Sequence, residues 1–465
     1  MVVILWGQAM KYDVVVIGLG AAGLWATREA LETSRDLKVL VVDRRVGYDT
    51  YSPCALPFAL TGEVSLEGLK HRLPPLPRLK KMMGYEVRRV EPDGRRIYVA
   101  GEGGEEVIEY GSCVVATGSS PSLPPIRNLK EALGRGACTF SRPEDAEEVV
   151  RRVKSGVKRA VVVGCGVIGM EVSHALKKMG VEVLCVDVLP YPMQETLDED
   201  MVRVLINHLE REGVEIMLGV GVEEIILDGR VRGVVVGDEE IPCELVVVAT
   251  GIRPNTQFLE GSGVKLKDGH IVVDREMKTS VDGIYAAGDA VIAPFPLPPG
   301  MRPTALASTA YIQGKVAGRN AAQEALGRGE RTRLKPSSPI FAAKIGELEV
   351  AATGLNLKSA RERYEGAFAV KVRGRSLPDY FPGGAEMTMK LIVGGDGRLL
   401  GGQMIGGRGT FWRMNLVGWA VSEGVSVEEL SLKEMAYTPP LSDMYDILAH
   451  AADRARAKLK RRERG

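Results

Sequence analysis

Short apolar runs that end in glycine or an acid recur along the chain, and they recur in the same order twice. The first run, Tyr12 to Ile17, predicts a buried strand and leads into Gly18-x-Gly20-x-x-Gly23. A mixed stretch, Leu24 to Leu31, predicts a helix, and a second apolar run, Leu37 to Val42, predicts a strand ending at Asp43. The second series repeats this: Arg159 to Val163, then Gly164-x-Gly166-x-x-Gly169, a helix over Met170 to Met179, and a strand over Val181 to Val186 ending at Asp187. Both series close alike, as Cys113-Val-Val-Ala-Thr117-Gly118 and as Val246-Val-Val-Ala-Thr250-Gly251. A further segment, Gly283 to Ala290, again runs strand-like into Gly288 and delivers Asp289.

A lone G-x-G-x-x-G means little, but here each copy lies between a strand and a helix with an acid about 20 residues on. The first glycine permits a tight turn, the second lets the backbone approach a pyrophosphate, and the third lets helix and strand pack closely. The helix N-terminus then offers free N–H groups to phosphate oxygens. Gly18, Gly20, Gly23 and Asp43 therefore predict one dinucleotide site, and Gly164, Gly166, Gly169 and Asp187 a second, with each acid accepting from ribose hydroxyls. The fold class expected is α/β, two Rossmann-like three-layer domains. Further on, Asp379 to Gly407 alternates as strands do around Gly394-Gly395-Asp396-Gly397, and Trp412 to Glu423 predicts a helix, so a C-terminal α+β domain is expected.

The length of 465 residues calls for two or three domains. Net charge is +1, which gives no reason to invoke nucleic acid. No apolar run reaches the roughly 20 residues that span a bilayer, so no membrane span is expected. The opening MVVILWGQAM lacks a basic leader; an extra strand or a start at Met10 is the reading, with the cytoplasm as compartment. The basic tail over residues 453–465 predicts a solvated helix end or a frayed terminus.

Six cysteines are present, with no C-x-x-C pair and no metal-ligand spacing, so no metal is expected. Five lie in or beside apolar runs and read as small hydrophobes. Cys54 does not. With Ser52 as N-cap and Pro53 at the first position, it falls in a first helical turn, where free N–H groups lower a thiol pKa. A thiolate there suits attack on a disulfide or polysulfide, and a structural cysteine is the alternative.

These motifs together resemble the pyridine nucleotide–disulfide oxidoreductases over roughly Tyr12 to Leu448. The resemblance implies FAD at the first glycine motif, with Thr117 and Gly118 beside it and Gly288 and Asp289 at the ribityl chain. It implies NAD(P)H at the second, closed by Gly251. It divides the chain into a discontinuous FAD domain (1–125 and 253–333), an NAD(P)H domain (126–252) and a dimerisation domain (334–452) that makes a homodimer, before the tail. No basic residue follows Asp187, which favours NADH over NADPH.

Position 59, where two-cysteine members carry the second sulfur, is Ala59, so Ser52-Pro-Cys54-Ala-Leu-Pro-Phe58 is similar to the single-cysteine branch. That branch includes coenzyme A-disulfide reductases, persulfide and polysulfide reductases, NADH oxidases and peroxidases. Tyr437-Thr-Pro-Pro-Leu-Ser resembles the segment whose tyrosine reaches the other subunit's cysteine, which makes Cys54 and Tyr437 the candidate catalytic pair. Members that reduce oxygen or peroxide carry a histidine at the place of Ala21, so a sulfur substrate is favoured. Glu171 reads either as ordering the nicotinamide or as a surface carboxylate, and Tyr445 as a packing group. Arg28, Lys70, His71 and Arg72 are the positions where coenzyme A phosphates would dock, with surface charge the plainer reading. His174, His208, His270 and His450 receive no role. Two alternatives stay open: an NADH oxidase, and an NADH-linked subunit that hands electrons to a protein partner.

Overall fold

The computed structural model describes residues 10–292, 298–299 and 305–464. The extra strand expected at the start therefore lies outside the described residues, apart from Met10, which opens the strand Met10–Ile17.

The first domain is built on a seven-stranded sheet. Met10–Ile17 lies at its centre, parallel to Val39–Asp43 on one side and to Gly104–Val115 on the other. Val14, Val15 and Val16 are wholly buried, the reason this run reads as continuous rather than alternating. Leu79–Met83 extends one edge, and the hairpin Glu86–Glu91 and Arg96–Gly101 covers the other. Ile284–Ala286, far along the chain, adds itself parallel to Gly104–Val115, so this domain resumes after the second one is complete. The helices Ala21–Thr33 and Ala307–Ala325 pack face to face on this domain. Gly314 and Gly318 make that possible: a Cβ on either would stand 2.2 Å from the Ala22 or Ala26 carbonyl oxygen.

The second domain has a five-stranded parallel sheet in the order Ala137–Thr139, Leu245–Val248, Arg159–Val163, Glu182–Asp187, Glu215–Leu218. The first linker into it, Ser119–Pro121, pairs antiparallel with the return linker, Ile252–Pro254. The third domain is a five-stranded antiparallel sheet whose strands Glu386–Val393 and Leu399–Gly406 flank the expected glycine turn. Three helices follow, Thr410–Ser422, Val427–Ser431 and Ile447–Glu463.

The basic tail is the second half of that last helix, not a frayed end. Ala455 is buried, Leu459 packs on the core, and Lys458 and Arg462 donate to the Ala369 and Gly366 carbonyls (3.0 and 2.6 Å). Among the described residues no helix is long and apolar enough to cross a membrane.

Candidate active site

The two glycine turns superimpose in their logic. Gly18 and Gly164 hold φ of +93° and +98°, a region closed to most side chains, and a Cβ there would sit 2.4 and 2.6 Å from the Ala116 and Ala249 oxygens. A Cβ on Gly23 or Gly169 would strike the Gly18 or Gly164 oxygen at 1.9 or 1.8 Å. The middle glycines differ: around Gly20 and Gly166 nothing lies within 4 Å. Protein fills the space at the outer glycines and leaves it open at the middle one, where a pyrophosphate has to come close.

Each acid closes its own turn. Asp43 accepts from the Leu19 amide (2.7 Å) and Asp187 from the Cys165 amide (2.8 Å). Asp187 also accepts from the Leu189 amide, and Asp43 from the Arg45 amide, Nε and Nη2 (2.9, 2.9 and 2.5 Å). Burial opposes ionisation of Asp43, but the Arg45 contacts win and hold its carboxyl below the usual range.

Both turns open on one cleft of about 2670 Å³, whose walls include Gly18, Gly20, Asp43, Thr117, Gly118, Gly166, Glu171, Gly251, Gly288 and Asp289. That is well above the roughly 300–1000 Å³ of a site for one small ligand. Cys54 stands in its wall and is the one exposed cysteine of the six. It lies in a 3₁₀ turn, Pro53–Ala55, followed by the short helix Leu56–Leu60. The expected cap is not made: the Ser52 hydroxyl bonds no backbone N–H and instead meets His71 Nε2 at 2.9 Å.

The expected lowering of the Cys54 pKa is reversed. Although the residue is exposed at the cleft wall, desolvation by the protein packed around its sulfur raises it first, and the nearby Glu171 and Asp289 carboxyls raise it further. A single 3₁₀ turn offers little dipole, and two acids sharing the cleft outweigh it. Glu171, on the helix Val167–Lys178, is itself pushed up to about 8 by burial, with the Lys344 amide pulling weakly the other way. Asp289 is raised by burial, against a hydrogen bond from Ser119 Oγ at 2.9 Å.

A sequence profile described as "Pyridine nucleotide-disulphide oxidoreductase" matches residues 12–314, and one for the same family's dimerisation domain matches 340–449. The chain belongs to the pyridine nucleotide-disulphide oxidoreductase family. It is 30% identical over 452 residues to an NADH oxidase of Methanocaldococcus jannaschii, covering 96% of this chain and 99% of that one. It is 29% identical to an NAD(P)H coenzyme A polysulfide/persulfide reductase of Pyrococcus horikoshii, covering 95% and 98%. Among solved structures, an NAD-dependent persulfide reductase from A. fulgidus matches with a TM-score of 0.90 at 29% identity, over 96% of this chain and 83% of that one.

As a member of this oxidoreductase family the protein uses FAD and NAD(P)H, and the two glycine cradles fit two such dinucleotides. In this family member Tyr437 and Tyr445 are exposed and neither lines its own chain's cleft. Tyr437 Oη lies 3.3 Å from Tyr380 Oη, and Tyr445 Oη donates to Asp453 (2.9 Å). Three of the positions considered for coenzyme A have partners of their own. Arg28 pairs with Glu32, Lys70 with Glu67 and Glu147, and Arg72 with the Gly47 carbonyl.

Several site residues had not been singled out. Asn255 binds the Thr117 carbonyl through Nδ2 (3.1 Å) and accepts from Ser120 Oγ (2.7 Å), while Thr117 Oγ1 donates to the Asn255 carbonyl (2.7 Å). The signal for this clasp was present: Thr117-Gly118-x-x-Pro121 and Thr250-Gly251-x-x-Pro254 are one motif used twice. Arg45 and Lys344 carried no such signal, since their contacts depend on which elements come together.

Proposed function

We propose that this protein is an FAD-dependent NADH oxidoreductase that cleaves a sulfur–sulfur bond, in coenzyme A disulfide, coenzyme A persulfide or polysulfide, through Cys54. The observation that carries this reading is the placement of one exposed cysteine in the cleft that both glycine cradles open onto, with Glu171 and Asp289 in the same walls. Bound FAD supplies two-electron transfer between nicotinamide and sulfur.

The chain's own residues do the rest. Gly18, Gly20 and Gly23 cradle one pyrophosphate, while Thr117, Gly118, Gly288 and Asp289 hold the remainder of that cofactor. Gly164, Gly166 and Gly169 cradle the other, Gly251 closes its turn, and Glu171 borders the nicotinamide. Asp187, with no basic neighbour before Glu195, disfavours a 2′-phosphate and so selects NADH over NADPH. Cys54 sulfur forms a mixed disulfide with the substrate and is released when that bond is reduced. Tyr437 of a second copy donates a hydrogen bond to the developing sulfur anion. The homodimer this requires is supported by the dimerisation domain and by the exposed Trp412, Leu416 and Trp419, which lie on one face of their helix.

The second reading is an NADH oxidase, supported by the relative of that name and opposed by the absence of an imidazole at Ala21. Cys54→Ser separates the two. The expected result is loss of NADH-dependent polysulfide and coenzyme A disulfide reduction by about 10²-fold or more with bound flavin retained, and a kcat/KM for NADH above that for NADPH. Wild-type polysulfide turnover in the variant overturns the reading. Undiminished oxygen consumption as the faster reaction of both proteins favours the oxidase.

A further inference from the structure

His174 and His208 stand on two helices of the second domain, Val167–Lys178 and Glu199–Arg211, and converge on a hairpin of the third. That hairpin, Ile340–Ile345 and Leu348–Gly354, turns through Gly346 and Glu347. Gly346 holds φ of +61°, and a Cβ there would stand 2.7 Å from His208 Nε2 and 3.0 Å from His174 Nε2. Glycine is therefore the residue that can close over both rings. Beneath the tip, Ile345 and Val350 are wholly buried in the core of the second domain, with Val172, Leu176 and Leu205. His174 is itself buried, and His208 Nε2 is sealed from solvent with no hydrogen-bond partner among the described residues.

We propose that His174 and His208 form an acid-sensitive latch: as neutral rings they seat the hairpin tip at Gly346, and on taking up protons they lift it and loosen the cleft wall that the same hairpin supplies. The link to the cleft is short. Lys344, two residues before Gly346, lines the cleft, and its amide holds the Glu171 carboxyl, one turn before His174 on the same helix. A lifted tip weakens binding of the nicotinamide dinucleotide at the start of that helix. This last step rests on the reading of the second glycine motif as that dinucleotide's site.

A neutral imidazole fits this place and an imidazolium does not. The charged ring has two N–H donors to satisfy, and His208 Nε2 lies against Gly346 and meets no acceptor. The charges that reach the pair nearly balance. Lys178 on the first helix and Arg211 on the second oppose a proton, while Glu212 beyond the second helix and Glu347 at the hairpin turn favour one. A proton on His208 also opposes one on His174. With two cations set against two carboxylates, burial decides, and it holds both histidines below their ordinary range. Lifting the tip frees the rings to take protons below about pH 6.5, so the seat is firm above that value and weakens as pH falls. Lys390 keeps its hold on Asp198 and Asp200, so the third domain stays attached while its hairpin tip opens.

The test is amide hydrogen exchange over residues 345–348 of the flavin-bound protein, corrected for the intrinsic pH dependence of exchange, beside NAD⁺ binding followed by calorimetry. Between about pH 7 and pH 5.5 the wild type loses protection at the tip by about tenfold, while the strands Glu386–Val393 and Leu399–Gly406 keep theirs. NAD⁺ binding weakens over the same range. The double variant His174→Gln/His208→Gln, which has no imidazole to titrate there, keeps a constant tip protection and a constant NAD⁺ affinity. Its flavin absorbance and melting temperature report that it has folded. Glu171 cannot produce the wild-type result, since its own pKa of about 8 makes its contribution fall as pH rises. Wild-type tip protection that does not change between those pH values overturns the latch whatever the variant does. A double variant that loses protection along the wild-type pH profile overturns it as well. A tip that opens at unchanged NAD⁺ affinity overturns the coupling to the cleft. A wild type that binds no NAD⁺ at any pH sinks the reading of the second glycine motif, and the exchange measurement still judges the latch.

Discussion

Glu171 carries a proton at a pH where most glutamates have lost theirs. Burial moves its pKa from an ordinary 4.5 to about 8. Because the folded value is the higher one, the unfolded chain gives up its proton first as pH rises. The contribution of this residue to stability is therefore whole below about 4.5, declines through the window between the two values, and is gone by about 8. Glu171→Gln keeps the neutral shape and removes the titration. The melting temperature of the variant is expected to gain on that of the wild type from about pH 5 to pH 8 and to gain no further above it. A gap of constant size across that window, read by thermal denaturation in matched buffers, contradicts this. Cys54 teaches the complementary lesson. Its identity as the odd cysteine was visible in the sequence, because it alone sits outside an apolar run. The direction of its pKa was not visible, because Glu171 and Asp289 lie 117 and 235 residues further along the chain and only folding sets them beside it.

At the scale of elements, the helices Ala21–Thr33 and Ala307–Ala325 show what a small side chain permits. Gly314 and Gly318 let the second helix press on the carbonyls of Ala22 and Ala26 in the first. Behind the contact, the buried Glu29 is met by Arg319 (2.8 Å) and Lys315 (3.5 Å). Gly318→Val drives two methyl groups into a backbone that has no room to move, and overpacking of this kind costs about 3 kcal/mol. The expected outcome is a lowered melting temperature with early release of flavin, since Ala21 and Ala22 line the cofactor cleft. Retention of wild-type stability counts against the close packing.

The sequence announced both glycine turns and the strands beside them, since a strand buried on two faces must be apolar throughout. Helix ends were read less well. The first helix starts at Ala21 rather than Leu24, and the second at Val167 rather than Met170, because each begins inside its own glycine motif. The pairing of two helices nearly 300 residues apart left only spaced small residues as its trace. Nothing local distinguishes those from ordinary alanine and glycine.

At the scale of the whole molecule, the second and third domains are joined by a polar knot around the buried Lys390 and Gln403. Lys390 Nζ lies 2.8 Å from Asp198 and 2.7 Å from Asp200, and Gln403 exchanges two hydrogen bonds with Asp198. Such a joint fixes one domain against the other through geometry more than through net energy, because desolvation offsets much of the ionic attraction. The first and second domains share more: the chain crosses between them twice, where Ser119–Pro121 and Ile252–Pro254 pair as a ribbon, and Leu56, Leu60 and Leu69 of the first are buried in the core of the second. The polypeptide thus leaves its host fold and comes back at the same spot. Everything between those crossings is a detour that the surrounding sheet does not need for its own hydrogen bonds. Removing residues 123–250 and bridging the gap with a few glycines is expected to leave a yellow, flavin-holding remnant that no longer responds to NADH, because closing so short a loop costs little entropy. A remnant that comes out colourless would mean the host cannot stand without its guest.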